Sequence, residues 1–511
     1  MNWDKWVKSL KPKEEEIKEV PSTKEIELKE RNIPTGIEEV KTIFKSIYSI
    51  PQNTDVTLRE FTIGKVNEKA ALVFVKTISN GEDIEERVLL PLLTNESESK
   101  EISDIVTIKK ITTASTIKDI LNEINHGNTV LFIDNTSVAY VFDTTKFESR
   151  AVEKTDNENV LRGPKESFNE NAETNISLIR KKILNENLMV ETTTVSKRSK
   201  NDVFLLYVKD LANDKLLSNI KNRLKSLDTD AIQNLGLLEQ HIEERKLSLF
   251  PTLLYTERPD RAAAFLEDGY FVLLMDSSPA CLILPATFWS FYHSPEEHYL
   301  RFIYGNFTRI LRIAAVFIAL FTSAIYVAVT NYHAQMIPPD LLLAIAATRE
   351  KVPFPVLLEI LLMEIAFELI REAGLRVPSP IGPTIGIVGA LILGQAAVEA
   401  NIISPIVIIV VALGGVSSFA VSDISLNYAI RIIRFFFIIS SGLFGIYGMT
   451  AIFTVGLFYL VSMKSFGIPY LAPMSPRYKS SKDTIFRKLL QNETYRPGYL
   501  KPKDIVKKGN E

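Results

Sequence analysis

IAAVFIALFTSAIYVAVT (Ile313–Thr330), TIGIVGALILGQAAV (Thr384–Val398) and IISPIVIIVVALGGVSSFAV (Ile402–Val421) decide how the rest of the chain is read. Each approaches or meets the roughly 20 apolar residues needed to cross a hydrocarbon core of ~30 Å. No comparable run occurs before Thr308, so the chain divides into a soluble-looking head and an apolar second half. The expected fold class is an α/β soluble head of two subdomains followed by an all-α polytopic membrane domain.

Whole-chain averages conceal this division. The formal net charge of −2 over 511 residues mixes two unlike halves. It shows none of the strong positive balance expected of a nucleic-acid binder. The single cysteine, Cys281, excludes an intrachain disulfide. Residues 1–40 are dominated by Lys and Glu and hold no apolar core of a cleavable leader. The head is therefore expected on the side where it is made.

Within the head, residues 1–36 read as a flexible charged tail, with Trp3 and Trp6 as a membrane-surface contact or a local tether. Residues 37–155 form a first α/β subdomain. KAALVFVKTI (69–78) and NTVLFIDNTSVAYVF (128–142) read as strands around a helix over 115–124. Residues 156–305 form a second, with a helix in NISLIRKKIL, strands in LMVETTTVS and DVFLLYVKD, and a helix in KLLSNIKNRLKSL. Arg162, Gly163 and Lys165 could build an anion-binding turn, but they match no phosphate-loop pattern and a structural linker turn is the default reading. Glu257-Arg258-Pro259-Asp260-Arg261 reads as a salt-bridged helix start. The five histidines are scattered, and His293 and His298 lack a zinc-site spacing, so no metal, cofactor or nucleophile is expected.

The membrane domain, 306–465, reads as about four to six helices: 310–330, 354–371, 384–400, 403–421 and a final run from Tyr428 to Met463. As one helix that run would extend about 54 Å, so a break at Gly442, Gly445 or Gly448 is expected. With six spans, Arg309, Arg312, Arg371, Arg376, Arg431 and Arg434 share the cytoplasmic side with the basic tail, 466–511. Arg349 and Lys351 fall outside this pattern, on a re-entrant or interfacial segment flanked by prolines. The tail's lysines and arginines suit contact with anionic lipid as well as simple solvation.

Two features inside this half are candidate sites. In LLEILLMEIAFELIRE, Glu364, Glu368 and Glu372 recur every fourth residue, an acidic stripe that drifts about 40° per step with Arg371 alongside. Ionisable groups in a span line water or find partners, so the stripe reads as a cation pathway, an interfacial amphipathic face or an internal Glu–Arg network. Gly386, Ala390 and Gly394 place small residues at the same spacing and suit close helix packing. Gln395 and Glu399 follow as a polar site in the bilayer or as interhelical hydrogen-bonding groups.

RGPKESFNENAETNISLIRKKI, LFPTLLYTERPDRAAAFLEDGYFVLLMDSSPACLILPATFWSFYHSPEEHY, IPPDLLLAIAATREKVPFPVLLEILLMEIAFELIREAG with its continuation to ISPI, and KSFGIPYLAP are long blocks spread over about residues 161 to 473. On these blocks the chain resembles the A-subunit family of bacterial spore germinant receptors. Residues 37–155 resemble the family loosely, and Pro383 stands where many members carry Gln. REKVPFP and MEIAFELIREAG look more like a receptor A subunit than a related sporulation protein of the same fold. The resemblance implies a multi-pass subunit of the spore inner membrane, with head and tail on the core side. Its implied partners are a transporter-like B subunit, to which nutrient binding is generally attributed, and a lipoprotein C subunit. It also implies assembly, as a pentamer, into a nutrient-gated cation channel that starts germination. A transporter, a membrane-anchored enzyme and an assembly scaffold are the rival readings. The head shows no coherent acid, base or nucleophile set for the enzyme, and the chain shows no inverted repeat for the transporter.

Overall fold

Helix-capping and strand signals recur twice in the head, and each set closes into its own sheet. The computed structural model describes residues 29–95, 101–147, 158, 160, 162–376, 394–480 and 484–507. Trp3, Trp6, Gly386, Ala390 and Pro383 lie outside the described residues.

The first unit runs α1 (Ile37–Ile47), β1 (Val56–Thr62), β2 (Lys69–Val75), a helical stretch over 81–93, β3 (Ile111–Ala114), α2 (Ile117–Asn125), β4 (Thr129–Ile133) and β5 (Ala139–Phe142). The second runs α3 (Ala172–Arg180), β6 (Leu188–Val195), β7 (Asn201–Val208), α4 (Asp214–Lys225), α5 (Leu235–Ile242), β8 (Leu254–Thr256), α6 (Pro259–Glu267), β9 (Phe271–Met275) and β10 (Cys281–Leu284). The sheets are antiparallel, with orders β1-β2-β4-β5-β3 and β6-β7-β9-β10-β8. The second order is the first with every strand replaced by its successor in the second unit. Residues 116–142 align without a gap on 258–284, and β4 and β5 share the register of β9 and β10: Thr129 faces Phe142, and Phe271 faces Leu284.

Backbone wiring repeats with the topology. The first helical N–H of α1, Ile37, donates to Asp134 Oδ1 at 3.1 Å, and that of α3, Ala172, donates to Asp276 Oδ1 at 2.9 Å. Each carboxylate thus satisfies an orphan donor at the positive end of a helix. The next residues, Asn135 and Ser277, take positive φ and donate to Thr35 O and Glu170 O. Gly127 and Gly269 end α2 and α6 with φ of +93° and +90°, a conformation that glycine adopts without steric cost. The head is a tandem repeat of one α/β unit.

The units meet through a buried ion pair in which Arg180 Nε donates to Asp55 Oδ2 at 2.6 Å, both side chains at most 3% exposed. Thr54 N donates to Val190 O alongside it.

The apolar half contains α7 (Phe302–Tyr332), α8 (Pro339–Arg349), α9 (Val356–Arg376), α10 (Pro405–Ser418) and α11 (Ile424–Ser462). Among the described residues, α7 and α11 are long and apolar enough to cross a membrane; α10 is apolar but has 14 residues. The 31 residues of α7 extend about 46 Å. Its first turns precede the apolar run because Arg309 and Arg312 both pair with the buried carboxylate of Glu297. α11 breaks at Gly445 (φ 61°, ψ −144°), where a Cβ would lie 3.1 Å from atoms of Tyr332 and His333. A break leaves carbonyls without helical partners. The Tyr332 hydroxyl meets Gly442 O and Leu443 O at 2.9 Å each.

The head's second unit is continuous with these helices. Arg245 donates to Ser462 Oγ and O at 3.1 and 3.0 Å, and the second unit's apolar core includes Ala319, Leu426, Ala429 and Ile430. The segment 484–507 returns to the same unit. Tyr499 and Leu500 are buried there, with the Tyr499 hydroxyl bonded to that of Tyr270, and Arg487 donates to Leu300 O at 3.1 Å.

Candidate functional site

α9 is built from good helix formers, and its carboxylates sit where α7, α10 and α11 pack around it. The i, i+4, i+8 drift turns the stripe from inside to outside. Glu364 is fully buried, Glu368 is 20% exposed and Glu372 lies on the exposed face.

Glu364 Oε1 accepts from Ser323 Oγ of α7 at 2.8 Å, and its Oε2 lies 2.7 Å from Arg434 Nη2 of α11. The same nitrogen donates to Glu368 Oε1 at 3.2 Å. Arg431, one turn away, grips Glu368 through both Nε, at 3.1 Å, and Nη2. Arg371 lies 3.6 Å from Glu368 and donates to Ser418 Oγ of α10 at 3.1 Å, with its guanidinium 4.7 Å from the centre of the Phe419 ring. Two carboxylates thus face three guanidiniums, and one network ties α7, α9, α10 and α11 together. Away from water such pairs are strong but costly to separate from their partners.

A second buried carboxylate on α9, Glu359, was not distinguished by spacing, since it lies five residues from Glu364. It lies 3.3 Å from Arg349 of α8 and accepts from Ser404 N, at the start of α10, at 3.0 Å. Arg349, the outlier of the charge pattern, has its partner here. The sequence signal for Glu359 was its place in an otherwise apolar turn, and none existed for its partners.

The other sequence candidates lie apart from this network. Gln395 and Glu399 are exposed, on a helical turn over 394–399. Gly394 is buried, and a Cβ there would touch Ile408 of α10 at 3.7 Å. Arg162 and Lys165 are exposed, while Gly163 lies against Tyr299, whose ring a Cβ would meet at 2.6 Å. Pro164 O in that turn accepts from the buried Arg258 at 2.8 Å. Among the described residues, no three His, Cys, Asp or Glu side chains converge as metal ligands.

Residues 41–499 match the family model described as Bacillus/Clostridium GerA spore germination protein. The chain belongs to the GerA family. It is 36% identical over 491 residues to spore germination protein KA of Bacillus subtilis, covering 94% of this chain and 90% of that one. It is 35% identical over 457 residues to spore germination protein GerLA of Bacillus cereus, covering 88% of this chain and 93% of that one. Among solved structures, the N-terminal domain of the A subunit of the Bacillus megaterium spore germinant receptor GerK3 is 25% identical, with a TM-score of 0.37. That match covers 50% of this chain and 98% of the other.

Proposed function

We propose that this GerA-family chain is the A subunit of a nutrient germinant receptor in the spore inner membrane and forms, as an oligomer, a cation channel whose opening initiates germination. The observation that carries the channel reading is the Glu364/Glu368–Arg431/Arg434 network at the meeting of four apolar-half helices. As arranged, three guanidiniums outweigh two carboxylates and repel cations, so this is a closed state. Parting α9 from α11 would expose the acidic stripe to a water-filled path and turn the local field favourable to cations. A partner that binds the parted arrangement more tightly would open the channel by population shift. A transporter-like B subunit and a lipoprotein C subunit are the proposed partners.

Head and C-terminal segment touch through Tyr270 and Tyr499, so they lie on one side of any membrane that the intervening chain crosses. The proposed topology therefore has an even number of crossings, with both parts facing the spore core.

Potassium flux from vesicles containing the full-length chain tests this reading. Arg434→Gln is expected to raise basal flux, and Glu364→Gln/Glu368→Gln to lower flux and cation selectivity. Unchanged flux and selectivity in both variants would remove the network from any ion path.

A further inference from the structure

Arg245-Lys246-Leu247-Ser248 lies in the connection from α5 to β8. Ser248 N donates to Arg245 O at 3.0 Å, which closes a four-residue turn with Lys246 and Leu247 at its tip. Leu247 is 98% exposed, more than any other large apolar side chain among the described residues. Single exposed leucines are common on protein surfaces, so the place of this one decides what it means.

The turn is fixed to the end of α11. Arg245 donates to Ser462 Oγ and O, the Tyr459 hydroxyl donates to Ser248 Oγ at 3.2 Å, and the ring centres of Phe250 and Tyr459 are 6.3 Å apart. After its break α11 comes back toward the head. Phe321 of α7 meets both Phe437 and Phe453, with ring centres 4.9 and 5.7 Å away. On one straight helix residues 437 and 453 would stand about 24 Å apart. Ile446–Met463 carries no charged side chain, and Lys464 is the first to follow. Phe458 and Val461 are exposed on the last turns of α11, so an apolar surface reaches the level of the Arg245–Ser248 turn.

Charge at this level is positive. Lys246 and Lys464 are exposed and have no carboxylate partner among the described residues. Both acids of the connection are engaged: Glu243 accepts from Thr252 Oγ1 at 2.8 Å, and Glu244 pairs with Arg223 at 2.7 Å and accepts from Gly467 N at 3.0 Å. The corresponding connection of the first unit, leading into β3, turns Ile102 and Val106 into the core, so the fold itself does not demand an exposed apolar tip. An apolar tip between two lysines at the end of an uncharged helix matches the boundary between anionic head groups and acyl chains. Water would leave the leucine unburied, and an apolar protein surface would strip the lysines of water.

We infer that the Arg245–Ser248 turn is a lipid anchor of the head, with Leu247 in the head-group and acyl boundary of the bilayer and Lys246 and Lys464 on anionic head groups. The inference rests on the membrane reading of the apolar half. It adds a contact that holds the second head unit against the leaflet.

The test is fluorescence quenching of the full-length chain in nanodiscs of phosphatidylglycerol and phosphatidylcholine, part of the latter carrying a nitroxide on its acyl chain. An environment-sensitive label is attached, in a Cys281→Ala background, at Leu247→Cys, at Phe458→Cys as the lipid-facing reference, or at Lys118→Cys on the exposed side of α2. The nitroxide should quench the Leu247→Cys label at least about threefold more than the Lys118→Cys label, and aqueous iodide should act in the reverse order. Leu247 is almost wholly exposed, so its replacement removes next to no packing. Exchanging phosphatidylglycerol for phosphatidylcholine should lower the quenching at Leu247→Cys. Nitroxide quenching at Phe458→Cys but not at Leu247→Cys would overturn the anchor and leave the membrane reading standing, whereas quenching at neither would overturn both. A Leu247→Cys label shielded from nitroxide and iodide alike would mean that protein, such as a second copy of the chain, covers the turn. That result, or indifference to phosphatidylglycerol, would also overturn the assignment.

Discussion

Replacing Glu239 by Gln tests the junction between the head and the apolar half. Glu239 lies on α5 with Glu243 and Asp423 as its carboxylate neighbours; burial first, then these two charges, pushes its carboxyl up to about 8 from an ordinary 4.5. A carboxyl raised by folding contributes stability that is complete below its unfolded value and is lost as pH rises through the folded one. Between 4.5 and about 8 the folded chain keeps a proton that the unfolded chain has released, so stability falls across that window. The full loss is at most about 5 kcal/mol, and between pH 6 and pH 9 it is about 2.5 kcal/mol. Glutamine keeps the shape without the proton equilibrium, so the variant should lack this part of the pH dependence. Cys281 offers the assay. It is the chain's single thiol and is buried in β10, so its modification reports opening of the second unit. Labelling rates of the full-length protein in detergent, divided by those of the fully unfolded chain at the same pH, give the opening equilibrium when closing outpaces labelling. Wild-type protection should fall between pH 6 and pH 9 by about 100-fold more than that of Glu239→Gln. Equal pH slopes in the two proteins would refute the reasoning.

Other perturbations are read in the same way. Asp55→Ala strands the buried Arg180 guanidinium between the two units and should cost about 3–5 kcal/mol in urea unfolding, with much of that loss absent when Arg180→Met is added. Gly127→Ala should destabilise more than Gly269→Ala: both force positive φ, at about 1–2 kcal/mol, and the first also drives a Cβ to 2.5 Å from Ile78 O. Tyr332→Phe removes the donor shared by the two carbonyls at the α11 break and should lower the thermal midpoint in detergent by an amount equivalent to about 1–3 kcal/mol.

The α/β character of the head was legible because local pattern carries it. Thr116 caps α2 through its side chain, and Lys69–Val75 and Thr129–Ile133 are short, largely buried apolar runs that read as strands. The repeat was not legible. Over 116–142 and 258–284 only Gly127/Gly269, Val130/Val272, Leu131/Leu273 and Asp134/Asp276 are identical, and the kinship lies in register and backbone hydrogen bonds. Spacing exposed the acidic stripe, because Glu364 and Glu368 share a helix face. It could not reveal Arg431 and Arg434, more than sixty residues away, because periodicity describes one helix and partnership needs two. The docking of 484–507 was hidden for a related reason: Tyr499 and Leu500 stand among prolines and lysines, and only the surface prepared by Tyr270 makes them core residues.

The return of the C-terminal segment also sets an order of events during synthesis. Tyr270 and Tyr499 are 229 residues apart, and every apolar helix is made between them. A ribosome adding about 5–20 residues per second needs at least ten seconds or so to travel that distance. Until then the second head unit waits with an unfilled place in its core, while the apolar helices beyond it are made. Filling that place is among the last steps in making the molecule, so a chain that stalls before Tyr499 is made keeps a defective head. Such a head offers chaperones and proteases a means of telling failed copies from finished ones.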